Sequence, residues 1–150
     1  MRSFIKGFGY ALSGIARAIR EERNMRFHLC VAFYVYLLSA FYGFDAIRYC
    51  ILTVLVCGVF ALELVNSAIE RAVEKPPQEK WVLAGAAKDM AAGAVLVFCI
   101  GCVACAFWLF WNPVVFAQIA AFFSHNFIAL VALACSLVLS GWFIFGNEGK

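Results

Sequence analysis

Between Met90 and Asn147 the chain has no Asp, Glu, Lys or Arg. Over all 150 residues only 14% are charged, against about a quarter in an ordinary soluble domain, while 65% are hydrophobic. So little charge excludes a water-soluble globular protein and points to an integral membrane protein with room for one domain. The chain also lacks GxxxxGK[ST] and the glycine loop that covers nucleotide phosphates in soluble protein kinases, which excludes both of those phosphate-binding arrangements. Phe8 between Gly7 and Gly9 makes a GxG, too short for a phosphate loop. No cleavable signal peptide is expected, because positions 1–26 are basic and amphipathic without a central apolar block.

Cysteine is abundant, but a disulfide scaffold does not follow. Cys30, Cys50, Cys57, Cys99, Cys102, Cys105 and Cys135 all lie in apolar runs, where they behave as small reduced hydrophobes. The CxxCxxC run from Cys99 to Cys105 resembles a cluster site only in its spacing. Iron–sulfur ligation needs a fourth thiolate and a loop that wraps the metal, and an uninterrupted membrane helix supplies neither. Packing of small residues is the expected role.

The charge that is present is unevenly placed. The net charge of +3 hides a cluster of Arg2, Lys6, Arg17, Arg20, Arg23 and Arg26 near the N-terminus. On a helix from residue 3 to about 24, Phe4, Ile5, Phe8, Leu12, Ile15 and Ile19 share an arc of about 100°, with Arg2, Lys6, Arg17 and Arg20 on the far side. An apolar face beside a basic one describes a helix lying on anionic headgroups, not a nucleic-acid stripe. Arg20 to Arg26 form a charged knot, and by itself that knot is read equally well as a solvated helix face laced with i,i+3 and i,i+4 pairs.

Four apolar runs then read as membrane spans, at about 27–44, 49–69, 90–111 and 127–145. Gly43 and Asp45 mark a tight turn after the first. Glu70 to Asp89 read as a polar connector in which Pro76-Pro77 stops the helix, and Pro113 breaks the stretch from Asn112 to Asn126. Every Lys and Arg except Arg48 falls in the N-terminal segment, that connector or the C-terminus. An even number of spans puts all three on one side, which the positive-inside rule makes cytoplasmic. His28 and His125 then lie on opposite sides and are expected to be interfacial polar residues. The expected fold is an all-α membrane protein: an interfacial helix and three spans in residues 1–111, with an extra C-terminal span in 112–150.

Glu63-Leu64-Val65-Asn66-Ser67-Ala68-Ile69-Glu70-Arg71-Ala72-Val73-Glu74 is the most informative stretch. At about 100° per residue, Glu63, Asn66, Glu70 and Glu74 fall within roughly a quarter of the circumference. A charge at the centre of a membrane helix costs at least ~2.5 kcal/mol, so an intramembrane glutamate such as Glu63 marks a site by default. At the inner surface, Glu22 and Glu70 from different helices can share a divalent ion. Mg²⁺ takes one or two carboxylates together with substrate phosphates. Lys88 can meet a phosphate, and Tyr10, Glu79 and Asp89 a nucleoside. Glu63 sits about one to two turns deeper, in a drier place suited to accepting a proton from an alcohol. That layout suits phosphoryl transfer from a nucleotide to a lipid hydroxyl. The competing reading is a non-catalytic transporter or assembly partner in which Glu63 relays a proton or ion.

The run Glu63-Leu-Val-Asn66-Ser67-Ala68-Ile69-Glu70, followed by Ala87-Lys88-Asp89-Met90, resembles the small integral-membrane diacylglycerol kinases of bacteria, a family that includes undecaprenol kinases. Glu22-Arg23-Asn24-Met25-Arg26-Phe27-His28 is similar to the E-R-N-x-R-x-H stretch of the Gram-positive branch. The likeness covers roughly residues 4–111. It implies a homotrimer using Mg-ATP at subunit interfaces, with undecaprenol favoured over diacylglycerol as acceptor. It further implies Glu63 as general base beside the lipid hydroxyl with Asn66 helping to position it, Glu22 and Glu70 on Mg²⁺, and Tyr10, Glu79, Lys88 and Asp89 on ATP. Glu74 stands where the family usually has Asp, Ser3 where some members have an ATP-contacting arginine, and Trp81 where a histidine is common.

Overall fold

The computed structural model describes residues 2–73 and 82–146, with side chains from Lys6 to Val73 and from Ala84 to Gly146. Six α-helices account for almost all of it: α1 (Arg2–Glu21), α2 (Arg23–Ser39), α3 (Ala46–Val73), α4 (Val82–Phe110), α5 (Pro113–His125) and α6 (Phe127–Phe145). Among the described residues there is no strand. Helices α2, α3, α4 and α6 are each long and apolar enough to cross a membrane. The chain is an all-α, multi-pass membrane protein.

The turns follow local chemistry. After α2 a 3-10 turn, Ala40–Tyr42, ends on Gly43 in the left-handed conformation (φ 55°), where a residue without Cβ is unstrained. Asp45 then caps α3, its Oδ1 accepting the Arg48 backbone N–H at 2.8 Å. Pro113, expected to break the chain, instead starts α5. Asn112 Oδ1 accepts the backbone N–H groups of Val114 and Val115, and proline at the first helical position gives up a donor that would be unpaired there anyway.

The charged connector is also shorter than its composition suggests. Helix α3 continues to Val73 and α4 begins at Val82, so Lys88 and Asp89 ride on the early turns of α4. A helix of 28 residues is about 42 Å long and the hydrocarbon core about 30 Å thick, so α3 and α4 extend past the lipid tails. Glu70, Arg71, Lys88 and Asp89 occupy that overhang.

Helices α3 and α4 make the most extensive contact in the bundle. Gly58 permits their approach, because a Cβ there would run into the Phe98 ring. At the end remote from α1, Phe44, Leu52 and Phe110 form the buried core, and the Tyr42 hydroxyl donates to the Phe110 carbonyl at 2.7 Å. Helix α6 returns antiparallel along α2, where the Tyr34 hydroxyl meets Ser136 Oγ (3.2 Å) and Ser140 Oγ (2.9 Å).

The surface helix stops at Glu21, short of residue 24, and α2 starts earlier than the apolar run does. Glu22 is the only non-helical residue between them, extended at φ −101°, ψ 119°. The charged knot divides accordingly. Arg17 and Glu21 form an exposed i,i+4 pair at 3.9 Å, whereas Arg26 is 2% exposed and bonded to three carbonyls.

Candidate functional site

The face of α3 that carries Glu63, Asn66 and Ser67 is turned inward, and all three side chains are buried. Glu63 is 3% exposed and its Oε1 lies 3.1 Å from His28 Nε2 on α2. In its ionised form Glu63 only accepts, and Nε2 then carries the hydrogen of this pair. One turn along α3, Asn66 Oδ1 is buried and finds no hydrogen-bond partner among the described residues. Leaving such an acceptor unmade costs about 1–3 kcal/mol. A hydroxyl donor at this place would remove that penalty.

Beside this cluster an apolar cavity of about 170 Å³ runs between α2, α3 and α4. His28 and Phe60 line one end, Val35, Val56 and Ala106 its walls, and Phe110 with Leu52 the other end. From Phe60 to Leu52 the helix rises about 12 Å. The cavity therefore offers a greasy slot that begins at the buried polar cluster and stops at the aromatic core.

Toward the other end of α3, past Glu63, is a polar cleft of about 390 Å³ lined by Glu21, Glu22, Glu70 and Arg71. Arg71 Nη2 bridges Glu21 Oε2 (2.9 Å) and Glu22 Oε1 (2.8 Å). Lys88 Nζ stands 3.8 Å from Glu70 Oε1. The donor set fits a hard cation that shares its coordination with phosphates: Glu22 and Glu70 face one cleft, and Mg²⁺ needs no more than two carboxylates from the protein. Among the described residues no His, Cys, Asp and Glu gather in threes tightly enough to form a closed all-protein metal site.

The structure thus brings Glu63 and Asn66 together at one level and Glu22, Glu70 and Lys88 together about seven residues nearer the end of α3, roughly 10 Å away. Tyr10 (76% exposed) and Asp89 are exposed and do not line the polar cleft of this single chain. Glu79, with Glu74 and Trp81, lies outside the described residues. Ser3 has no described side chain. His28 is the residue that sequence reasoning missed. Its signal was the shared depth of His28 and Glu63 on neighbouring antiparallel spans, which goes unseen when the two histidines are compared only with each other.

The model of prokaryotic diacylglycerol kinases matches residues 9–110. An undecaprenol kinase of Bacillus subtilis (strain 168) is 40% identical over 100 residues, covering 67% of this chain and 81% of the relative. A diacylglycerol kinase of Synechocystis sp. is 34% identical over 102 residues, with 67% of this chain and 58% of the relative covered. The diacylglycerol kinase of Escherichia coli (strain K12) is 32% identical over 108 residues, with 72% and 88% covered. The buried carboxylate, the slot beside it and the acidic cleft all lie within the matched stretch, and the chain belongs to the prokaryotic diacylglycerol kinase family, a family of membrane lipid kinases.

Proposed function

We propose that the protein transfers the γ-phosphoryl group of ATP to the hydroxyl of a membrane lipid at the cytoplasmic surface, with undecaprenol as the favoured acceptor and diacylglycerol the other. The observation that carries this reading is the Glu63–His28 pair at the head of an apolar slot, with Asn66 Oδ1 unsatisfied next to it. The lipid tail fills the slot and its hydroxyl donates toward Asn66 and Glu63. Glu63 takes the hydroxyl proton as the lipid oxygen forms its bond to the γ-phosphorus. The bond from that phosphorus to the β–γ bridging oxygen breaks, and ADP leaves. His28 holds Oε1 of Glu63 and so fixes the carboxylate's orientation.

Glu22 and Glu70 are the residues that hold Mg²⁺, which when bound neutralises charge on the β- and γ-phosphates. Lys88 lies within reach of Glu70 and adds a positive charge for a phosphate oxygen. Tyr10, Glu79 and Asp89 complete the nucleotide contacts in a homotrimer whose subunits each contribute one surface helix. Both termini lie on the cytoplasmic side in this scheme.

Support for undecaprenol comes from the higher identity to the Bacillus subtilis relative and from the E-R-N-x-R-x-H stretch. The test is direct. Purified protein in detergent is given labelled ATP, Mg²⁺ and either undecaprenol or diacylglycerol, and the lipid extract is followed for phosphate. Transfer to undecaprenol above diacylglycerol is expected, and transfer to neither overturns the reading. Glu63→Gln should retain Mg-ATP binding and lose turnover by about 10²–10⁴-fold.

A further inference from the structure

Helix α6 lies beyond residues 9–110, the part shared with the family, and a span serving only to hold the chain in lipid needs an apolar surface and nothing more. This one is attached by polar groups at two heights on α2. Tyr34 reaches Ser136 and Ser140; eight residues nearer α1 on each helix, Arg26 reaches the carbonyl of Ile144. The guanidinium of Arg26 is divided between two helix ends. Its Nε and Nη2 donate to Ile144 O at 3.3 and 3.1 Å, at the end of α6. Its Nη1 donates to Arg20 O at 2.9 Å and Ile19 O at 3.4 Å, in the last turn of α1. The guanidinium of Arg23 also lies 5.9 Å over the Phe145 ring. Carbonyls at helix C-termini carry partial negative charge, so a buried cation is well placed between two of them. A buried cation stripped of one partner is costly, so the join resists separation.

The joint held in this way is the one that carries the site. Glu22 is the single extended residue between α1 and α2, and its carboxylate faces the polar cleft. Arg26 lies four residues after Glu22, its own N–H bonding the Glu22 carbonyl at 3.3 Å, and two residues before His28, which grips Glu63. We infer that α6 is a working part of the kinase: through Arg26, a positioning residue, it sets the angle of the Glu22 hinge and thereby places the carboxylate that meets the metal–nucleotide. This rests on the proposed phosphoryl transfer.

The test uses the full chain with one alanine inserted between Gly141 and Trp142. The insertion turns the last stretch of α6 by about 100° and carries the Ile144 carbonyl away from Arg26. The same insertion after Gly146 serves as control. Two quantities are read in parallel: KM for Mg-ATP against kcat at saturating lipid, and the rate at which trypsin cuts after Arg20 and Arg23. The first insertion should raise KM for Mg-ATP about tenfold, as expected for loss of charge-assisted hydrogen bonds, with kcat changed less, and should speed the cut. The control should match the parent. Unchanged KM and unchanged cleavage overturn the inference. If the inserted chain does not accumulate, Arg26→Lys, which keeps the charge but cannot donate to both helix ends at once, decides by the same two readings: a raised KM with faster cleavage supports it, and parental values overturn it. A parent protein that phosphorylates neither lipid sinks the kinase reading instead, while the trypsin comparison still reports whether α6 holds the hinge.

Discussion

His28 Nε2 and Glu63 Oε1 are 3.1 Å apart, on adjacent antiparallel spans, with the carboxylate almost wholly out of water. A lone carboxylate at that depth would be free to rotate and expensive to keep, whereas one whose oxygen is held by a ring N–H has a fixed orientation. In the proposed reaction His28→Ala should therefore lower kcat by about tenfold or more while leaving KM for Mg-ATP unaltered, because the residue acts only at the lipid end. His28→Gln, which keeps an N–H donor at similar reach, should restore part of the loss. In a Glu63→Gln background the His28→Ala change should add little further, since the two act as a unit. Steady-state kinetics on the four proteins decides this.

Arg71 neutralises Glu21 and Glu22 at the mouth of the polar cleft, in the position electrostatically equivalent to that of a cation. Its side chain is about a third exposed, so the ion pairs contribute at most about 1 kcal/mol to stability. Arg71→Gln should consequently leave the melting temperature within a few degrees of the parent. It should also lower the Mg²⁺ concentration needed for half-maximal activity, because the carboxylates no longer have a competing partner. Raising salt should narrow the difference between the two proteins, as screening weakens exposed charges first. A higher Mg²⁺ requirement in the variant would show instead that Arg71 holds the nucleotide.

The acidic face of α3 and the Gly43–Asp45 turn were legible in the sequence because both depend on local periodicity and local backbone chemistry. Arg26 was not. It closes the charged run that begins at Arg20, so a solvated face was a fair reading, and its decisive partner is a backbone carbonyl 118 residues away that has no side-chain signature. Lys88 and Asp89 look like connector residues because they are charged, yet the alanines before them continue the helix, and helical overhang beyond the lipid tails tolerates charge. Pro113 reads as a break until the preceding Asn112 is recognised as a cap. That His28 and Glu63 lie at a similar depth on neighbouring spans followed from counting spans, and only their side-chain directions were missing.

Gly58 reports on how tightly α3 and α4 are joined. Alanine there gains about 0.8–1 kcal/mol in helix propensity but meets the Phe98 ring, and overpacking in a fitted contact costs about 1–3 kcal/mol. The net expectation for Gly58→Ala is a loss of stability, read as a lower melting temperature in detergent. Phe98→Leu combined with Gly58→Ala should recover it, since the shorter side chain removes the atoms a Cβ would strike. Recovery in the double variant distinguishes a steric cause from a change in the unfolded chain.

The slot beside Glu63 ends at Phe110 and Leu52, and its depth bears on which acceptor the protein uses. Ala106 lies on its α4 wall, away from Glu22, Glu70 and Lys88, so a larger side chain there should obstruct the lipid tail without reaching the nucleotide. Ala106→Phe should raise KM for lipid severalfold and leave KM for Mg-ATP as in the parent. The size of the effect should depend on the tail. A long prenyl alcohol, which must run the full length of the slot, should lose more than a diacylglycerol with shortened acyl chains, whose tail ends before Ala106. Equal losses for both acceptors would mean that the tail leaves the slot into bulk lipid near His28. In that case discrimination between acceptors would have to reside around the hydroxyl, at Asn66 and Glu63, and not along the chain.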